Sequence, residues 1–394
     1  MLQLTRLPQQ VSYFLRGTKQ FFHYRHHLVF CWTLVLILIC QDKATLCGLA
    51  RFGPKHLCEW HIRRFLSASY WSIRLVLWWF VDALLAVLPP PQDGVVRLIG
   101  DGTYKGKTGQ KNPLAKKGRI RAPGPYLFGI HIIILMLHWD NFRIPIDFEI
   151  VKKKDSPGYK KPNALFRWML VRFKKPVWAT RVIVLADAEF AAKETLNLIK
   201  RRGYFFVMSM ARTWKFEDDR SLKHLVRHLP RKHYQKIWIK APDGRRRVYW
   251  IFTKSACLRH LGDVTIVLSK KRRNDGPNNT IILVTNLPNV SGRQVVMLYT
   301  GRWNVELLIK ELKGVTGLGQ AQVTKDAKRV ERSIALSLMA YLLLIKFCWR
   351  DIPQNGAWSA FQLKRNFAFD ITKKQLVHSF QLKLRKLQKH RLVA

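Results

Sequence analysis

Acidic side chains are scarce in this chain: 24 Asp and Glu stand against 70 Lys and Arg in 394 residues, a formal charge of +46 at pH 7. The basic excess runs along the whole length instead of sitting in one terminal block, so the expected partner is polyanionic. Neutralising phosphates releases condensed counterions, and a surface of this charge binds nucleic acid even without reading its sequence. Cysteine is sparse as well. Cys31, Cys40, Cys47, Cys58, Cys257 and Cys348 form no CxxC pair, which argues against a disulfide scaffold and points to reduced thiols in a cytoplasmic protein. A zinc site built from Cys47, Cys58, His56 and His61 would have suitable donors, but the spacing is wrong for any common finger. The apolar run Leu28 to Cys40 has about 13 residues, well short of the roughly 20 a bilayer needs. It reads as a buried helix, with no membrane partner expected, and no small-residue cleavage site follows it to suggest a signal peptide.

What the chain does have is core material: 48% hydrophobic residues, with 14 Trp and 22 Phe. That content excludes a disordered basic tail and suggests two or three structural units. Residues 1–90 read as a helical N-terminal DNA-binding domain, closed by the rigid connector Pro89-Pro90-Pro91. Within it, Ala44 to Arg51, a Phe52-Gly53 turn and Pro54 to Leu66 have the lengths of a helix-turn-helix, offering Lys55, His61, Arg63 and Arg64 to a groove. Two short helices around a glycine turn are equally ordinary in all-helical domains.

From Val95 the pattern changes to strands: VVRLIGD, YLFGIHIIILML and FRIPIDFEIV, which suggest a meander. A helix near Asn163 to Phe173, the strand RVIVLAD, a helix from Ala191 to Arg202 and a strand from Tyr204 to Met210 follow. The last strand-helix-strand unit predicts a right-handed crossover onto a parallel neighbour. This order is that of an α/β, ribonuclease-H-like catalytic core, with its first part at 91–210, a β-rich insertion at 211–285, a second part with the catalytic helix at 286–350, and a basic tail at 351–394. Long helices are expected at Ser291 to Lys313 and at Ala327 to Trp349.

Because acids are few, those at strand ends carry weight. Asp101 closes LIGD and Asp187 closes VLAD. Adjacent parallel strands would bring both carboxylates to one edge of the sheet, although Asp101-Gly102 could be a plain turn and Asp187 a helix cap. In YTGRWNVELLIKELKG, residues Tyr299, Arg302, Glu306 and Lys313 fall at roughly 0°, 300°, 340° and 320° around one helix. They form a polar stripe beside Val305, Leu307, Leu308 and Leu312, the alternative being a solvated face with Glu306 paired to Lys310. Three carboxylates with cations alongside suit phosphoryl transfer: the acids hold hard metal ions through oxygen, and Tyr299, Arg302 and Lys313 grip DNA.

The ungapped pattern Tyr299-x2-Arg302-x3-Glu306-x6-Lys313, with GDGTYKGK and LADAEF ahead of it, resembles the Tyr-Arg-Glu-Lys signature of bacterial DDE transposases in the family named after insertion sequence four. The resemblance covers about residues 95 to 348. It implies cut-and-paste transposition: a homodimer grips terminal inverted repeats of double-stranded DNA, and Mg²⁺ drives nicking, hairpin formation and strand transfer. Two ions are expected, with Mn²⁺ as a possible substitute, held by Asp101, Asp187 and Glu306. Relatives that make hairpins stack an extruded base on an aromatic ring, for which Trp214, Trp238, Tyr249 and Trp250 stand in the insertion. Glu189, two residues past Asp187, is a rival ligand expected to point away or into the helix start. The alternatives are a nuclease on the same fold and a non-catalytic DNA-binding descendant.

Overall fold

The computed structural model describes residues 3–40, 43–106, 112–119, 126–240, 244–320, 326–354 and 356–391. Five helices open the chain: α1 (Gln9–Leu15), α2 (Tyr24–Ile39), α3 (Leu46–Phe52), α4 (Glu59–Ala68) and α5 (Ile73–Leu85). The apolar run expected as a buried helix lies in α2, where every residue from Phe30 to Ile39 is buried. A helix apolar all round needs protein on all sides. The candidate helix-turn-helix becomes α3 and α4, with one difference: α4 starts at Glu59, so Lys55 lies in the turn. On α4, Arg63 is paired with Glu59 and Arg64 covers the Trp60 ring.

The strands are β1 (Val95–Gly106), β2 (Lys116–Arg119), β3 (Tyr126–Trp139), β4 (Phe142–Val151), β5 (Arg181–Ala186), β6 (Phe205–Ser209), β7 (Gln235–Lys240), β8 (Arg246–Leu258), β9 (Gly262–Lys270) and β10 (Ile281–Thr285). They form one sheet in the order β2-β3-β1-β5-β6-β10-β9-β8-β7, with β4 also on β3. β1–β5 and β5–β6 are parallel, and the crossover between β5 and β6 runs through α7 (Lys193–Arg201). The outer edge of β3 pairs with β2 over Tyr126–Gly129 and with β4 from His131 on. β7, β8 and β9 continue the same sheet, because β10 pairs with β6 on one side and β9 on the other.

Helix α6 (Pro162–Arg172) covers one face, where the Phe166 ring occupies the space a Cβ at Gly100 would need. After α8 (Leu222–His228), the other face receives α9 (Gly292–Thr300), α10 (Trp303–Gly314) and α11 (Ala327–Cys348). The single long helix expected over Ser291 to Lys313 is therefore two. At the joint the backbone stays helical, but bonds tighten to three-residue spacing: Gly301 N–H to Leu298 O, Arg302 to Tyr299 O and Asn304 to Gly301 O. Glycine's weak helix propensity falls where the ladder changes pitch.

The stretch Ala327–Asp351 is long and apolar enough to cross a membrane, yet 78% of its apolar window is buried within the protein. It packs against α2, α4, α5, α10 and the last helix, α12 (Ala360–Arg391). Its apolar surface is thus satisfied as a core helix. Arg332 of α11 donates to the carbonyls of Leu66 and Ser69, tying the N-terminal helices to the core.

Candidate active site

Parallel pairing of β1 with β5 sets Val95 opposite Arg181 and Ile99 opposite Leu185. Two further residues in that register align Asp101 with Asp187. Asp187 follows the last residue of β5, as expected, whereas Asp101 lies within β1, which runs on to Gly106 beside β3. The strand continues because β3 pairs with it well beyond the end of β5. Side chains alternate along a strand, so Arg97, Asp101 and Thr103 share the face covered by α10.

Arg302 joins two of the acids. Its Nη1 lies 3.5 Å from Asp101 Oδ2 and its Nη2 2.9 Å from Glu306 Oε1. Its guanidinium carbon is 5.8 Å from the centre of the Tyr299 ring. Glu306 is thus paired back to Arg302 and not forward to Lys310. Lys313 Nζ donates to Thr103 Oγ1 at 2.7 Å, so its ammonium rests on β1 two residues past Asp101. Tyr299 lies before the helix joint, and burial pushes its hydroxyl upward in pKa. Leu307, expected on an apolar face, is 37% exposed.

The electrostatics bind the three acids into one neighbourhood. Burial pushes Asp101 up to about 6; Arg302 opposes the shift, and the negative charges of Asp187 and Glu306 add to it. Glu189 is also raised, first by burial and then by Asp187 and Asp101. Its backbone N–H donates to Asp187 Oδ1 at 3.0 Å, closing an Asx turn, and the residue is exposed. Among the described residues no three acidic, imidazole or thiol groups stand close enough to hold one ion as they are. Arg302 takes one of the carboxylates, Asp101 or Glu306, with each arm. The donor chemistry nevertheless fits a hard divalent cation: oxygen ligands, and several acids that raise one another's pKa.

A second set of residues, not singled out from sequence, anchors the helix that carries Glu306. Glu311 accepts from Arg143 of β4 at 2.7 and 3.3 Å and from the Tyr341 hydroxyl of α11 at 2.8 Å. The Arg143 guanidinium stacks on Trp358 at 4.1 Å. Among the four candidate stacking aromatics, Trp238 is 51% exposed, while Trp214, Tyr249 and Trp250 are half-buried. The proposed zinc donors are not gathered: Cys47 donates to Glu59 and Cys58 contacts His61.

A family model described as Transposase DDE domain matches residues 106–343, more than half of the chain. The match begins after Asp101 and includes Asp187, Tyr299, Arg302, Glu306 and Lys313. No curated protein matches. Among solved structures, the chain is similar to the cryo-EM structure of a piggyBac transposase synaptic complex with hairpin DNA. Identity is 11% over 89% of this chain and 72% of that one, with a TM-score of 0.48.

Proposed function

The chain belongs to the Transposase DDE domain family, and from that premise we propose that it is a cut-and-paste DNA transposase whose acidic triad is Asp101, Asp187 and Glu306. The observation that carries the assignment is the convergence of these residues: Asp101 and Asp187 in register on neighbouring parallel strands, and Glu306 joined to Asp101 through Arg302. The reading extends to a ribonuclease-H-like core and to the insertion-sequence-four family, supported by the Tyr299, Arg302, Glu306 and Lys313 spacing.

Divalent ions, two Mg²⁺ with Mn²⁺ as substitute, would be held by the three carboxylates and would activate the attacking oxygen while stabilising the leaving one. The chain's own residues do the rest. Arg302 has a planar fork suited to a phosphate, and turning it from the carboxylates to DNA exchanges one anionic partner for another. Lys313 is held by Thr103 at the rim of the acidic group, where its charge can orient a phosphate beside the reacting one. Tyr299 presents a phenolic donor from the neighbouring helix. Substrates are the terminal inverted repeats and target DNA, gripped by a homodimer, with a hairpin intermediate and Trp238 as an accessible stacking platform. The setting is cytoplasmic and nucleoid-associated.

The test is a supercoiled plasmid carrying the element's ends, incubated with protein and Mg²⁺ or EDTA, beside Glu306→Gln and Asp187→Asn. Excision and joined products from wild type alone, only with Mg²⁺, support the reading. Variants that cut as well as wild type overturn the triad. Cleavage without joined products reassigns the protein as a nuclease.

A further inference from the structure

On the sheet face that carries Asp101, one row of cationic and imidazole side chains crosses three strands. Arg97 of β1 stands opposite His138 of β3, and His138 opposite Arg143 of β4. Arg143 is neutralised by Glu311. Arg97 is not: among the described residues its guanidinium makes no hydrogen bond and no ion pair within 4.0 Å; the residue is half-buried, and Asp93 and Asp140 act on it from a distance. His138 is 5% exposed, and its Nδ1 has no hydrogen-bond partner. Burial, helped by the two arginines, holds this imidazole well below its ordinary pKa and hence neutral.

Both side chains line a cavity of about 240 Å³ that lies between the sheet and the α9–α10 joint. Thr300, Gly301 and Asn304 form its helical wall, and Lys240, at the end of β7, brings a second cation. A buried polar atom without a partner costs roughly 1–3 kcal/mol, and a group bound in this cavity, water or anion, would complete the set at His138 Nδ1.

We propose that this cavity is an anion subsite that takes one backbone phosphate of the DNA. The assignment rests on the transposase reading, which supplies the DNA. An Arg fork can grip two phosphate oxygens at once, a neutral imidazole offers one N–H, and Lys240 adds a point charge at the mouth. Arg97 lies four residues from Asp101 along β1, about 13 Å at strand rise. The phosphate held here is therefore a few nucleotides away from the reacting one, and the subsite sets how the strand runs into the acids.

The experiment measures affinity for end DNA in EDTA, so that no catalysis intervenes, using duplexes in which single phosphates are replaced one at a time by neutral methylphosphonate. For wild type, one position is expected to cost about tenfold, the scale of one charged hydrogen-bonded contact. The same position is expected to cost Arg97→Gln nothing further, and that variant's salt slope is expected to fall by about one. Lys240→Gln, on an exposed side chain, repeats the test should Arg97→Gln melt early. If every methylphosphonate weakens wild type and both variants alike while wild type still cuts end DNA in a parallel reaction with Mg²⁺, the subsite is overturned and the transposase reading stands. Wild type without DNA affinity removes both. If inorganic phosphate shifts the His138 ring resonance but no DNA position couples to Arg97 or Lys240, the cavity serves a free anion and the DNA assignment is overturned.

Discussion

Helix α10 carries two glutamates five residues apart, and their surroundings differ in every respect that matters. Glu311 is 7% exposed and fully partnered, with the Arg143 fork on one side and the Tyr341 hydroxyl on the other. The Glu306 side chain is 29% exposed and, among the described residues, is bonded to Arg302 alone, which it shares with Asp101. A buried carboxylate with all its acceptor sites filled is a fixed structural tie. A half-exposed carboxylate with spare lone pairs, among other acids, remains available to a cation. One helix thus holds a fixed tie at its core end and a carboxylate with spare acceptor sites at its open end, so the second can change partner without loosening the first.

The contrast yields predictions in descending size. Glu306→Gln should lower DNA cleavage on the order of a thousandfold, the several kcal/mol that metal-ion catalysis supplies, while leaving the melting temperature near wild type. A comparable loss of stability in calorimetry would break the contrast. Glu311→Ala should do the opposite in kind: it strands a buried arginine, and unfolding titrations should show a loss of about 3–5 kcal/mol. A variant as stable as wild type would mean that the tie is not one.

His131 extends the comparison to a buried group with no ion pair among the described residues, its ring stacked on Tyr104 at 4.4 Å. Burial, with Lys116 adding to it, depresses its pKa from 6.5 to about 4. Between those values the unfolded chain binds a proton that the folded one does not, so this contribution is full above pH 6.5 and is lost as pH falls toward 4. At about 1.4 kcal/mol per unit the whole window is worth roughly 3 kcal/mol. Raised carboxyls such as Asp101 and Asp147 act in the reverse sense over part of this range. The test is therefore the difference between wild type and His131→Gln in melts from pH 7 to 4.5, and parallel curves would refute it. The smallest effect is expected for Tyr341→Phe, which removes one of the hydrogen bonds to Glu311 and leaves the Arg143 fork. A loss of about 1 kcal/mol, measured by denaturant midpoint, separates the hydroxyl's share from that of the ion pair.

Much of the core was legible because its signals are local. The runs before Asp101 and Asp187 are apolar and end in an acid, and the Ala191–Arg202 helix between two short apolar strands sets a parallel crossover. What escaped was written in contacts. β2 is Lys-Lys-Gly-Arg, with no apolar alternation, and is a strand only because β3 offers it an edge. The single helix expected over Ser291 to Lys313 missed the joint at Gly301, although that glycine was its one visible signal. The tail showed no chemistry, yet Ala360, Leu363, Phe367, Ala368 and Ile371 recur at helical spacing and are buried in α12. Glu311 and Arg143 lie far apart in sequence, and neither has a neighbour that announces the pair. At the candidate site, the stripe from Arg302 to Lys313 followed from spacing alone, whereas the bond from the Glu189 backbone N–H to Asp187 is one that spacing does not encode.

Strand β10 has a mechanical consequence. It bonds to β6 on one side and to β9 on the other, so the basic outer strands and the strands that present the acids form one elastic plate. A hinge between them would have to rupture that ladder. A load applied to β7, β8 or β9 would instead be carried through β10 and β6 as shear and twist, reaching β5 and Asp187 as a small change of angle. On such a plate, a strain in the outer strands becomes a quantity that the acidic centre can register.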